Sequence, residues 1–141
     1  MMIRKIMYLV LVGLILSSVT AVAGNSEKEA AAVTAAEEWL SLVDHEKYAE
    51  SWDEAAEFFK QSLSKDQWVQ AMQAGRKPLG KNMSRKLTAK DYETSLPAAP
   101  KGEYVVIQFN TSFENKKHAV ETVTPMLDKD GKWRVSGYFI K

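Results

Sequence analysis

The sequence predicts an α+β fold of three N-terminal helices packed on a curved, four-stranded antiparallel sheet, preceded by a cleaved signal peptide. Apolar residues recur at helical spacing up to about Gly75 and alternate from Asn82 onward, so the chain changes period once. Tyr48, Trp52, Ala55 and Phe59 stand at steps of four, three and four, one broad apolar helix face that demands a covering surface. Asp130-Gly131, set between two alternating segments, is a strong hairpin signal.

The first 23 residues read as a leader. Arg4 and Lys5 supply a positive start, Ile6 to Leu16 an apolar run, and Ala21-Val22-Ala23 a small-x-small cleavage site, so cleavage is expected after Ala23. The apolar run is shorter than the ~20 residues that span a bilayer, and no stable membrane insertion is expected after cleavage. No cysteine is present for lipid attachment or for disulfides, so the single domain expected over residues 24–141 must rest on its core.

Ser26-x-x-Glu29 reads as a capping box opening a first helix, which runs to about Val43 with Val33, Ala36, Trp39, Leu40 and Val43 as its buried stripe. Asp44 to Lys47 turns the chain into a second helix from about Tyr48 to Gln61. Ser64-x-x-Gln67 repeats the capping signature and opens a third helix through Trp68, Ala71 and Met72, which stops near Gly75 ahead of Pro78.

Met83 to Thr94 is a first strand, with Leu87 and Tyr92 at a spacing that signals a bulge or a boundary. Pro97, Pro100 and Gly102 make the next stretch a loop. Tyr104 to Glu114 is the clearest strand, with Val105, Ile107, Phe109, Thr111 and Phe113 directed to the core. Lys117 to Leu127 follows, its Pro125 implying an edge or a bulge. Lys132 to Ile140 closes the sheet with Trp133, Val135, Gly137 and Phe139 on one face.

The amphipathic first helix, the Asp44-x-x-x-Tyr48 joint and Trp52 on the second helix resemble the cone-shaped α+β fold of the nuclear-transport-factor-like superfamily. Ala36-Glu37-Glu38-Trp39-Leu40, Asp44 to Trp52, Thr94-Ser95-Leu96-Pro97, Gly102-Glu103-Tyr104-Val105-Val106 and Asp130 to Tyr138 resemble a family of small exported bacterial proteins described as a domain of unknown function. The resemblance implies a cone-like fold and an exported, periplasmic or secreted protein. It brings no catalytic motif.

Without Arg4 and Lys5 the chain holds 17 basic against 18 acidic residues, a near-neutral balance that speaks against a nucleic-acid partner. Gly75 to Lys81 matches the spacing of a phosphate-binding loop but lacks the following hydroxyl and sits between a helix and a strand in the wrong order, so it reads as a helix stop. His45 and His118 are isolated beside turns, and no metal-ligand spacing or cofactor motif is present. From Arg76 to Lys90 there are six basic residues and no acid.

These residues predict an exported, noncatalytic module for a small ligand or a protein partner. Trp39, Tyr48, Trp52, Trp68, Phe109, Glu121 and Trp133 are the candidate lining of a cavity for a small apolar or amphipathic molecule. Arg76, Lys77, Lys81, Arg85 and Lys86 are the candidate surface for an anionic partner. One alternative is a small isomerase or dehydratase with an inward carboxylate at Glu121, Arg134 projecting inward beside it, and Tyr48 or Asp44 at the mouth. Another is a structural homodimer through the sheet's outer face at Tyr104, Val106, Tyr138 and Ile140.

Overall fold

In the computed structural model the described residues are 24–141; the expected signal peptide and its cleavage after Ala23 lie outside them. Residues 24–44 form helix α1, followed by α2 (Tyr48–Asp53), α3 (Glu57–Ser62), α4 (Lys65–Gly75) and a 3-10 turn, Lys77–Leu79. Strands β1 (Asn82–Glu93), β2 (Tyr104–Phe113), β3 (Lys116–Leu127) and β4 (Trp133–Ile140) pair in the order β1-β2-β3-β4, each antiparallel to the next. Among the described residues no helix is long and apolar enough to cross a membrane.

The core joins the helices to one face of the sheet. Ala32, Ala36, Trp39, Leu40 and Val43 of α1 meet Phe59, Trp68 and Met72, and all pack with Val105, Ile107, Phe109, Val123 and Val135. The expected α1 stripe is thus buried except at Val33, which is half-buried against the core. Ser26 is not the helix cap, because residues 24 and 25 are already helical and propagation adds a backbone bond per residue that a side-chain cap does not match.

The expected second helix is broken. At Ala56 the backbone turns extended (φ −62°, ψ 152°), and its N–H donates to the Val135 carbonyl across to β4 at 2.8 Å. Ala55 and Ala56 are fully buried, so the break seats two small residues against the sheet where a continuous helix would hold the chain away. Among the described residues four α-helices therefore stand where the sequence predicts three. Tyr48, Ala55 and Phe59 are buried and Trp52 is half-buried nonetheless, so the apolar face survives the break.

Helix α4 opens on Ser64 with both hydrogen bonds of the predicted capping box, Gln67 N–H to Ser64 Oγ (3.2 Å) and Ser64 N–H to Gln67 Oε1 (2.9 Å). Ala71 is exposed and Val69 takes its place beside Trp68 and Met72. Gly80, after the 3-10 turn, has φ +77° and ψ −156°, a conformation essentially reserved for glycine. A Cβ there would lie 2.5 Å from Glu114 Oε1.

In β2 the predicted inward residues Val105, Ile107, Phe109, Thr111 and Phe113 are all buried. The odd spacing in β1 is a register shift between Leu87 and Ala89. Pro125 marks a bulge rather than an edge: β3 lies between β2 and β4, and the register shifts between Thr124 and Pro125. That bulge overturns the expected face of β4. Pro125 pairs with Val135 and Thr124 with Gly137, so Ser136 is the extra residue and the alternation changes phase across it. Val135 and Tyr138 both reach the core, while Phe139 is 59% exposed. Tyr104 is also buried, in a second cluster with Ala56 and Met126. Of the residues expected on the outer face, Tyr104 is buried and Tyr138 packs half-buried against the core, while Val106 and Ile140 are half-buried.

Candidate functional site

The helices end, and the strands cross, at a buried polar cluster. Asp44 closes α1, Arg76 follows α4, Asn82 and Arg85 lie on β1, Thr111 on β2, Glu121 on β3 and Tyr138 on β4. Arg85 sits between two carboxylates. Its Nε donates to Glu121 Oε1 (2.7 Å) and its Nη2 to Glu121 Oε2 (3.2 Å); Nη1 donates to Asp44 Oδ2 (2.7 Å) and Nη2 to Asp44 Oδ1 (3.0 Å). One planar fork therefore clamps two acids, a geometry that lysine cannot reproduce.

Each acid has further donors. Thr111 Oγ1 donates to Glu121 Oε1 (2.5 Å) and the Tyr138 hydroxyl to Glu121 Oε2; Arg76 Nη2 and Asn82 Nδ2 donate to Asp44, each at 3.3 Å. Glu121 is wholly buried and Arg76 nearly so. The Arg76 guanidinium lies 4.4 Å from the Phe113 ring centroid and donates to the Gly80 carbonyl at 2.6 Å. A carboxylate alone at such depth would be costly; here every carboxylate oxygen accepts at least two hydrogen bonds.

Burial works to raise the Asp44 carboxyl, but the hydrogen bonds and charge of Arg85, helped by Arg76 and Asn82, hold it below its ordinary 3.8. Burial would lower Arg85, and the two carboxylates raise it instead. Tyr138 is pushed far above its ordinary 10.0, first by burial and then by the adjacent Glu121 charge, so it stays a neutral donor. Outside the cluster, Asp130 is drawn down to about 2 by its Arg134 hydrogen bonds. A carboxyl held low contributes stability that is fully present above its unfolded value and is lost as pH falls through the folded one. The midpoint of urea unfolding is therefore expected to fall as pH drops from 3.8 toward 2, and Asp44→Asn to flatten part of that slope. A midpoint that stays level over this interval would contradict the assignment.

The aromatic residues form a packed group. The Trp39 ring stands 6.4 Å from Phe59, 5.7 Å from Trp68 and 5.3 Å from Tyr138. Both indole N–H groups meet the buried Ser51: Trp39 Nε1 donates to its carbonyl (2.8 Å) and Trp68 Nε1 to its Oγ (2.9 Å). Of the candidate cavity lining, Trp39, Tyr48, Trp68, Phe109 and Glu121 are buried, and Trp52 and Trp133 are half-buried against the core. Trp52 packs at the periphery with Lys60 and Lys65 over its ring.

The basic segment is divided. Arg76 and Arg85 turn inward onto Asp44 and Glu121, because buried acids draw the guanidinium groups, whereas Lys77, Lys81 and Lys86 stay exposed. The continuous five-residue basic surface is thus corrected to three exposed lysines. Arg134 does not project inward; it binds Asp128 (3.0 Å) and Asp130 (2.8 Å) on the hairpin. Glu121 does face inward, at a position where sequence alternation left its direction open. The sequence reads Arg85 as part of the basic surface and Tyr138 as part of the outer sheet face, and the structure turns both onto Glu121; Ser51 carries no site reading in the sequence, since it acts only through the indoles above it.

Two surface grooves border this core. One, of about 550 Å³, lies between α3, the 100–102 loop and the β3–β4 hairpin, over Phe58, Met126 and Leu127. The other, of about 460 Å³, lies between α1, α2 and the start of β4. Ala35, Glu38, Trp39 and Leu42 form one wall, Glu50 and Glu54 a second, and Lys132, Trp133, Arg134 and Val135 the third. Trp39 and Trp133, of the candidate lining, meet there. Among the described residues no three His, Cys, Asp or Glu side chains converge as metal ligands.

The model of a family described as a protein of unknown function, DUF4019, matches residues 35–138. The chain belongs to the DUF4019 family. No curated protein and no solved structure matches it. The match to the DUF4019 model runs from the middle of α1 to Tyr138, so it includes Asp44, Arg76, Arg85, Thr111, Glu121 and the whole second groove.

Proposed function

We propose that this DUF4019 protein is a noncatalytic binding module, exported and cone-like as its sequence resemblance implies, that takes a small amphipathic ligand in the groove between α1, α2 and β4. The observation that carries this reading is the half-buried Trp133 at that groove, beside Leu42, Ala35 and the little-exposed Trp39 and rimmed by charged side chains. Flat apolar walls with a few polar groups at the edge are what a small amphipathic molecule requires. The interior acid that an isomerase would need weighs against the catalytic reading. Glu121 is committed to Arg85, Thr111 and Tyr138, and a base so engaged must break a buried ion pair to accept a proton.

The test is native mass spectrometry of the protein purified gently from the exported fraction. Extra mass that leaves under mild activation, and that is lost on Trp133→Ala, is the expected result. A bare protein, or an adduct indifferent to Trp133, would overturn the assignment of the groove. Recovery from the cytoplasm with residues 1–23 still attached would overturn export.

A further inference from the structure

The sheet has one edge that the fold partly closes and one that it leaves open. On β4 the Val135 carbonyl is taken by the Ala56 N–H. The other edge is β1, 12 residues long, and among the described residues its backbone bonds only to β2. A row of free N–H and C=O groups of that length is a template for another strand. Among the described residues the large apolar side chains left exposed are Met83, Leu87 and Phe139, and the first two lie on β1.

A lysine on an edge strand usually keeps a second strand away. Here β1 carries Lys86 and also the acid that answers it. Lys86 pairs with Asn110 and Asp91 with Val106; those β2 residues are four apart, so Lys86 and Asp91 share the outer face of the sheet. They do so at an odd spacing because Thr88 is the extra residue of the bulge between Leu87 and Ala89. Both are exposed, and neither has an ion-pair partner among the described residues. We propose that β1 pairs with β1 of a second copy, antiparallel about a twofold axis between Thr88 and Ala89. That register sets Lys86 of each copy opposite Asp91 of the other, and Leu87 opposite Lys90, whose methylene stem covers it. The two four-stranded sheets then join into one, and the groove beside β4 lies at the outer edge of each copy.

The experiment is sedimentation equilibrium of the purified protein, which is expected to show a monomer–dimer equilibrium. Lys86→Asp and Asp91→Lys each set like charges against one another at both symmetric points of the interface. Each change is expected to weaken the dimer by about tenfold, and the two together to restore it, because the swap recreates the opposite pairing. Both positions are exposed, so the circular dichroism of the variants should match the parent. A monomer at every concentration up to about 1 mM overturns the proposal. A dimer indifferent to both single changes overturns the β1 edge as its interface. A dimer that either change weakens and the swap fails to restore overturns the register. None of these outcomes bears on the ligand groove, which lies at the opposite edge of the sheet.

Discussion

Glu121→Ala is expected to lower the unfolding free energy by about 3–5 kcal/mol, the cost of leaving a buried ion-pair partner uncompensated. Arg85 is only 13% exposed at its side chain and spans two acids; without Glu121 its Nε loses its acceptor, and Thr111 and Tyr138 lose theirs. Urea unfolding followed by circular dichroism measures the effect. Glu121→Gln keeps the shape and some hydrogen bonds and should cost less. The double change Arg85→Met, Glu121→Leu should recover part of the loss, because it removes both buried charges together, though Asp44 then depends on Arg76 and Asn82. A loss below about 1 kcal/mol for Glu121→Ala, in the range of exposed ion pairs, would mean that water reaches this cluster.

Trp39→Ala should be comparably damaging, by about 3–5 kcal/mol for an aromatic-to-alanine change in a core. Trp39 is 4% exposed and touches Phe59, Trp68 and Tyr138 at once, so the cavity opens between both layers of the fold. The change also leaves the Ser51 carbonyl without the indole donor. Trp39→Phe keeps most of the ring volume and should lose less. The comparison with Trp68→Ala is informative, since Trp68 shares Phe59, Tyr138 and Ser51 as partners, and the double variant should therefore cost less than the sum of the two. Strict additivity would show that the two rings do not form one packed group.

The capping box at Ser64 and the alternation of β2 were legible because each rests on a local rule: a hydrogen bond spanning three residues, or a period of two. The continuity of the second helix was not legible. Tyr48 to Phe59 keeps a helical apolar spacing throughout, and nothing local forbids a helix at Ala56. The break occurs because the Ala56 N–H finds the Val135 carbonyl on a strand some eighty residues away. The phase of β4 failed for a related reason. An added residue at Ser136 reverses the alternation, and only pairing with the bulged Pro125 segment reveals it.

The candidate site divides along the same line. That Trp39, Tyr48, Trp68 and Phe109 belong together was readable from their apolar periodicity. That Glu121 lies inside was open, and that Arg85 meets it was invisible, because 36 residues separate the two along the chain. A run of six basic residues from Arg76 to Lys90 reads as one surface; two of its members are the counter-ions of buried acids.

By itself the sequence determined the α+β class, the order of helices before strands, the composition of the apolar core and the place of most turns, since these follow from period, capping and the turn residues of each segment. Tertiary structure alone decided where the second helix breaks, which way Tyr138 faces, and that Asp44, Arg85 and Glu121 form one buried cluster. Those outcomes depend on the register between strands and on burial, which pair a charge or a backbone group with a partner that no local pattern specifies.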